Sequence, residues 1–146
     1  MKIATKYFEE MSLEENEVIT FPQGIFGFEN NKKFIIIRFD NEDNSILCLQ
    51  STEEEQLAFV LINPFYLDMD YKPELTEIDY KDIKANEESD LSFYTICVVR
   101  ENFEESTVNL KCPVIVNCDT RIAKQVILDS NDYSMRQTVG SFKEEE

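Results

Sequence analysis

The sequence of 146 residues contains no histidine. Histidine is the most common general base and the most common metal ligand in proteins, so its absence argues against both kinds of site. A serine, cysteine or threonine nucleophile would need a different activating base. The cysteines closest in sequence, Cys112 and Cys118, are separated by five residues, whereas structural zinc sites use closer pairs. We therefore expect no catalytic residues, no cofactor and no metal ion.

Glycine is also scarce, with three residues at positions 24, 27 and 140. Loops that cradle phosphates and fingerprints that bind dinucleotides both need closely spaced glycines in a fixed pattern, which cannot be written here. The acidic run at 40–45 lacks the glycine and the closing glutamate of a calcium loop. Nucleotide binding and calcium binding are therefore not expected.

Basic residues are few, since 14 lysines and arginines accompany 30 acidic residues and the formal net charge is −16. Direct binding of a nucleic acid would need a basic patch that neutralises phosphates, and we do not expect one. The acidic excess is concentrated between residues 53 and 105, where fifteen acidic residues accompany four basic ones. Such an excess is either a solvated surface or an attraction for a cationic protein partner.

Long apolar runs are absent as well. The longest, at 57–62, has six residues and is shorter than the apolar core of a signal peptide or a membrane span. The four cysteines, at positions 48, 97, 112 and 118, all lie in or beside apolar segments. These features predict a cytoplasmic protein with reduced, buried thiols and no contact with a membrane.

Short apolar segments rich in isoleucine, valine, phenylalanine and tyrosine recur about every ten residues, which is typical of a mainly β protein. The segments 34–37 and 59–62 are apolar on both faces, so we expect them at the centre of a closed or covered sheet. The predicted strands are 17–21, 33–40, 46–50, 57–62, 91–100, 106–110, 114–117 and 124–128.

Turn and helix signals complete this prediction. The polar run 40–44 is typical of a hairpin loop, and Asn63 and Pro64 end the strand before them. The best helix candidate is 77–85, where Tyr80 and Ile83 would share a face. We expect a single β domain at 1–139, followed by a frayed acidic tail at 140–146.

Five local patterns follow one another along the chain. They are Gly-Ile-Phe-Gly-Phe-Glu at 24–29, Leu-Gln-Ser at 49–51, Phe-Val-Leu-Ile-Asn-Pro at 59–64, Asn-Leu-Lys-Cys-Pro-Val-Ile-Val-Asn at 109–117 and Lys-Gln-Val-Ile-Leu at 124–128. In this order they closely resemble the flagellar assembly factor FliW family of small bacterial proteins. The similarity extends from about residue 17 to residue 136. Cys112 and Ala123 depart from the family's pattern, and both keep a small side chain.

The resemblance implies a mainly β, antiparallel, barrel-like fold with one or two short helices, and a non-enzymatic protein with two partners. One partner is flagellin, held in the cytoplasm before export. The other is the RNA-binding translational repressor CsrA, which represses flagellin synthesis. Exchange between these partners would couple flagellin synthesis to export, and we expect a monomer when neither partner is bound.

We expect the acidic runs to attract the basic repressor, since opposite charges favour association. Phe26 and Phe28 are candidate apolar anchors for flagellin, although core packing is the favoured role of both. A generic acidic adaptor with an open sheet edge is one alternative, and a metal-dependent hydrolase built on clustered carboxylates is a less favoured one. The acidic residues singled out are Glu53, Glu54, Glu55, Glu101, Glu104 and Glu105, with Glu87, Glu88 and Asp90 between the two runs.

Overall fold

A computed structural model of the chain describes residues 2–40, 43–86 and 90–145. Glu87 and Glu88, and residues 41 and 42 of the predicted hairpin loop, lie outside the described residues. Within these ranges the chain forms eleven strands and two short α-helices. They are β1 (Lys2–Ile3), β2 (Met11–Ser12), β3 (Ile19–Thr20), β4 (Lys33–Asp40), β5 (Asp43–Ser51), β6 (Ala58–Ile62), α1 (Pro64–Leu67), α2 (Glu77–Asp82), β7 (Leu91–Val98), β8 (Thr107–Val108), β9 (Val114–Asn117), β10 (Ile122–Gln125) and β11 (Gln137–Thr138).

Seven of the strands in the described ranges close a barrel. They are hydrogen-bonded in the order β7, β6, β5, β4, β3, β10, β9, and β9 returns to β7 to complete the circle. The neighbours are antiparallel except β3 and β10, which pair in parallel at Thr20 and Ile122. The predicted mainly β, barrel-like fold is confirmed, with this one parallel pairing as its departure from an antiparallel arrangement.

Strand β4 shows why some segments are apolar on both faces. Successive side chains of a strand point to opposite sides of a sheet. Phe34 and Ile36 accordingly belong to the cluster inside the barrel, whereas Ile35 and Ile37 pack outside it against residues of the β1–β2 hairpin. The prediction of a closed or covered sheet at 34–37 is confirmed, because the barrel closes and the N-terminal hairpin packs on its outer face.

The predicted helix at 77–85 is observed as α2, which is shorter. Thr76 caps its N-terminus by accepting a hydrogen bond from the N–H of Asp79 at 3.2 Å, and Lys84 ends the turn with a positive φ of 54°. Helix α1 was not predicted. The signals were nevertheless present, because Asn63 accepts from the N–H of Phe65 at 2.9 Å and is followed by proline, which favours the first helical position.

The predicted strands 33–40 and 114–117 have the observed ends, and the other six differ by one to three residues at one or both ends. The segment 17–21 shortens to β3 because Glu15–Glu17 forms a 3-10 turn, and 106–110 shortens to β8. The segment 124–128 is replaced by β10, which begins earlier and ends at Gln125. The regular pairing ends there because the next residue in register is Pro113, which accepts from the N–H of Val126 at 3.0 Å but has no N–H to donate.

Residues Val139–Glu145 form a 3-10 helix. Its Phe142 packs against a second apolar cluster, which includes Tyr71 and Ile83. The boundary at residue 139 and the fraying of 140–146 stay predictions. None of the helices in the described ranges has the length and the apolarity needed to cross a membrane.

Candidate protein-binding surface

Three loops lie at one end of the barrel. Strands β6 and β7 pair with Val60 opposite Cys97, and continuing this register places Leu57 opposite Arg100. Strands β4 and β5 pair with Phe34 opposite Ser51, so the chain before β4 lies at the same end. This end, formed by residues 21–32, 52–57 and 99–106, is termed the loop end.

The loop at 52–57 is held by the Leu-Gln-Ser motif. Gln50 is fully buried, and its Nε2 donates to the carbonyl groups of Ser51 at 3.0 Å and Glu55 at 3.1 Å. The hydroxyl of Ser51 accepts hydrogen bonds from the N–H groups of Glu53 and Glu54, both at 3.0 Å. These bonds fix the backbone that carries the three consecutive glutamates.

Glu53 differs from its two neighbours in having a structural contact. Its carboxylate accepts hydrogen bonds from the N–H groups of Lys32 at 2.9 Å and Lys33 at 3.1 Å, which ties the 52–57 loop to the start of β4. The side chains of Glu54 and Glu55 are exposed. Glu54 and Glu55 are therefore the members of this run that a partner can reach without loss of a loop contact.

The second acidic run lies on the same end. Glu101, Glu104 and Glu105 are exposed, and the last two belong to the 3-10 helix Phe103–Glu105, whose N-cap Asn102 accepts from the N–H of Glu104 at 3.2 Å. The topology thus places at one end of the barrel two acidic runs that are far apart in sequence.

The loop at 21–32 turns through two glycines with positive φ, 72° at Gly24 and 87° at Gly27. The turn directs Ile25 into the barrel, where it is buried. The carboxylate of Glu29 accepts a hydrogen bond from the N–H of Gly27 at 3.0 Å, and this bond lowers the pKa of Glu29. The N–H of Phe26 donates to Gln125 at 3.1 Å and anchors the loop to the end of β10.

The favoured core-packing role of Phe26 and Phe28 is wrong. Their side chains are 46% and 41% exposed, although the ring of Phe28 also makes an edge contact with Phe59 at 5.2 Å between centroids. The buried residues of this loop are Phe21 and Ile25 instead. The reason is the positive φ of both glycines, which turns the aromatic residues beside Gly27 outward.

A largely apolar groove of about 500 Å³ runs beside Phe26. Its walls include Phe59 and the exposed side chains of Val98 and Met135, and it is bordered by the cations Arg100 and Arg136. None of these wall residues except Phe26 was predicted from the sequence as part of a binding surface. Met135 and Arg136 come from the irregular segment between β10 and β11, whose position depends on contacts far apart in sequence.

Burial makes three of the four thiols poor nucleophiles. Burial raises the pKa of Cys48 and of Cys97 to about 11, and it also raises the pKa of Cys112. These three cysteines are buried as predicted, whereas Cys118 is half-buried, and none of the four forms a disulfide. No group of three histidine, cysteine, aspartate or glutamate side chains in the described residues is arranged to hold a metal ion.

Comparison with known proteins identifies the family. The family model described as FliW protein matches residues 2–139. A relative from Ruminiclostridium cellulolyticum, named flagellar assembly factor FliW, is 37% identical over 139 residues, which cover 95% of this chain and 94% of the relative. A relative of the same name from an Exiguobacterium species is 41% identical over 145 residues, or 99% of each chain.

A solved structure supports the same assignment. The crystal structure of the flagellar assembly factor FliW superposes with a TM-score of 0.88 at 32% identity, over 95% of this chain and 96% of that one. Both the sequence and the fold therefore match over nearly the whole length. The chain belongs to the FliW family of flagellar assembly factors.

Proposed function

We propose that this protein binds flagellin and the translational repressor CsrA in alternation, in the cytoplasm and without catalysis. Unexported flagellin occupies the protein and leaves the repressor active. Once flagellin is exported, the free protein captures the repressor, and flagellin synthesis resumes. The observation that carries this proposal is the loop end, where an open apolar groove lies on the same end of the barrel as six exposed glutamates.

The groove is the proposed contact for flagellin. The terminal regions of flagellin subunits are helical and amphipathic, and such helices dock their apolar stripes into apolar grooves. Phe26, Val98 and Met135 supply exposed apolar surface along its walls. Phe26 and Met135 are the preferred residues to change, because both lie outside the strands of the barrel.

The flagellin contact is tested with the double variant Phe26→Ser, Met135→Ser. Loss of two apolar anchors at an interface lowers affinity by at least about tenfold. The matched control is Tyr66→Ser, Met69→Ser, which removes an aromatic ring and a methionine that are 65% and 90% exposed away from the groove. Calorimetry of each variant with flagellin should show the loss in the first pair only, and equal affinities would contradict the groove assignment.

The exposed glutamates are the proposed contact for the repressor. The test variant is Glu54→Lys, Glu55→Lys, Glu101→Lys, which spares Glu53 because that carboxylate holds the loop to β4. Charge reversal at a complementary surface weakens association, and added salt screens what remains. We expect binding of CsrA to weaken at least about tenfold in this variant, and wild-type affinity to fall between 50 mM and about 500 mM salt.

The control for this experiment reverses three exposed glutamates elsewhere, Glu9, Glu10 and Glu74. It carries the same change in net charge, so a loss of binding in both triple variants would indicate a general charge effect instead of a site. Unchanged binding in the Glu54, Glu55 and Glu101 variant would contradict the acidic site. Metal analysis of the purified protein addresses the hydrolase alternative, which a stoichiometric, tightly held ion would favour.

A further inference from the structure

The inner face of the barrel changes character towards the end opposite the loop end. Along β4, Phe34 and Ile36 face the interior, and the next residue with the same orientation is Arg38. Arg121 lies in the turn just before β10, with a positive φ of 60°, and borders the same cavity as Arg38. The apolar interior therefore ends beside two guanidinium groups.

These two arginines border one cavity. It has a volume of about 410 Å³, and its remaining walls are Ile36, Leu47, Asn63 and Tyr94. Ile36 and Leu47 belong to the apolar core and give the cavity an aliphatic floor. The rest of the cavity lining is mostly polar, and polar groups that converge on a cavity can orient a ligand.

The polar groups around the cavity are donors of hydrogen bonds. Asn63 uses its carbonyl oxygen to cap α1, accepting from the N–H of Phe65, which leaves its amide nitrogen as a donor. Burial raises the pKa of Tyr94, and this effect outweighs the lowering by the hydrogen bond with Ser92 and by the charge of Arg121. The hydroxyl of Tyr94 therefore keeps its proton. Together with two guanidinium groups, these donors form a surface that complements an anion.

Both arginines lack a carboxylate partner within ion-pair distance in the described part of the chain. Arg38 and Arg121 form no ion pair there, although acidic residues outnumber basic ones by more than two to one. One guanidinium nitrogen of Arg121 donates to the carbonyl of Glu17 at 3.0 Å, and its Nε is buried without a hydrogen-bond partner among the described residues. Glu17 lines a neighbouring groove that both arginines also border, and its carboxylate accepts from the N–H of Glu14 at 3.2 Å.

We infer that this cavity is a second binding site, which takes an organic carboxylate with a short aliphatic stem. The carboxylate pairs with Arg38 and Arg121, whose planar forks match its two oxygens. The stem packs on Ile36 and Leu47, which distinguishes such a ligand from inorganic phosphate. The site is separate from the loop end, so its test and the tests of flagellin and repressor binding can fail independently.

The test is titration of the full-length protein, labelled with nitrogen-15, and observed by nuclear magnetic resonance at the arginine Nε–H and backbone signals. The probes are glutarate as a free acid, the blocked tripeptide acetyl-Ala-Glu-Ala-amide as an acidic residue in a polypeptide, and inorganic phosphate. We expect glutarate or the tripeptide to shift the signals of Arg38 and Arg121 in a saturable way. Whichever binds more tightly identifies the source of the carboxylate.

The variant Arg38→Gln removes one of the two guanidinium groups. The side chain of Arg38 makes no hydrogen bond in the described structure, and we expect the variant to bind the carboxylate probe at least about tenfold more weakly. Arg100→Gln, at the loop end, is the matched control and should bind as the wild type does. Shifts that do not saturate, shifts confined to Arg100 and Arg136, or equal binding of phosphate would each overturn the assignment. The wild-type titration alone decides if Arg38→Gln does not fold.

Discussion

Gly24 and Gly27 lie in the same loop and both have positive φ, but they differ in the space around them. A Cβ at Gly24 would lie 2.5 Å from the Cα of Glu29, whereas a Cβ at Gly27 would meet nothing within 4 Å. Gly27→Ala therefore costs only the backbone penalty of a left-handed conformation, about 1–2 kcal/mol. Gly24→Ala adds a backbone clash, which costs a further ~1–3 kcal/mol.

Urea denaturation of the two alanine variants measures this difference in the free energy of unfolding. Gly27→Ala is the matched control, since it makes the same chemical change three residues away in the same loop. Equal losses of stability would contradict the close approach of Gly24 to Glu29. The wild-type slope of free energy against urea concentration should be kept in Gly27→Ala, because its barrel is unchanged.

The residues of the candidate surface were only partly predictable. The two glycines predict a turn, but the same turn buries Ile25 and exposes Phe26, and no property of the side chains distinguishes an isoleucine that turns inward from a phenylalanine that turns outward. The acidic runs were visible as composition. Their meeting at one end of the barrel was not, because it follows from the register of β6 with β7.

At the scale of elements, ion pairs of Lys124 in β10 connect the barrel to α2. Its Nζ contacts Asp79 at 2.8 Å and Asp82 at 2.7 Å. Burial alone would raise the pKa of Asp79, but the hydrogen bonds from Lys124 and Thr76 outweigh it and lower that pKa. The hydrogen bond from Lys124 also lowers the pKa of Asp82.

A depressed folded-state pKa gives a definite pH dependence. The contribution of both aspartates to stability is fully present above their unfolded value, about 3.9, and is lost as pH falls through the lower folded values. Lys124→Met leaves the half-buried carboxylates without a cation and should lower the free energy of unfolding at pH 7 by about 1–2 kcal/mol. The difference from wild type should shrink as pH falls below about 4.

Chemical denaturation at pH 7 and at acidic pH values tests this prediction. Lys81→Met is the control, since it removes an exposed lysine of the same helix that makes no ion pair in the described structure. A difference between Lys124→Met and wild type that stays constant down to pH 3 would contradict the linkage to Asp79 and Asp82. A Lys81→Met variant that is as unstable as Lys124→Met would also contradict the assigned role of the Lys124 ion pairs.

Elements with a strong local pattern were predictable, and those stabilised by distant partners were not. Strands β4 and β6 carry continuous apolar runs, and α2 has a capping threonine. Strands β1, β2 and β11 have two residues each, which is too short for any periodicity to be read. They form because the chain returns on itself, as β11 does when it pairs with β8.

At the scale of the whole molecule, the two ends of the barrel have opposite character. The loop end carries exposed glutamates beside an apolar groove, whereas the opposite end carries two arginines around a cavity with an aliphatic floor. The interior of the barrel between them is filled with apolar side chains such as Leu49 and Leu61. A ligand at one end therefore has no direct contact with a partner at the other, and any coupling between them must pass through the strands.

The net charge of −16 predicts opposite responses of stability and of repressor binding to salt. Like charges repel in the compact state, and the acidic runs place exposed carboxylates at one end of the barrel, so screening should stabilise the free protein. Raising sodium chloride from about 10 mM to about 300 mM shortens the screening length several-fold. We expect the melting temperature at pH 7 to rise by about 3 °C, which corresponds to ~1 kcal/mol for a domain of this size.

Calorimetric melting of the wild type and of the variant Glu54→Gln, Glu55→Gln, Glu101→Gln tests this prediction. The variant should have the higher melting temperature at low salt, and its melting temperature should rise less when salt is added. A wild-type melting temperature that falls with salt would show that attractive charge pairs, such as those of Lys124, outweigh the repulsion.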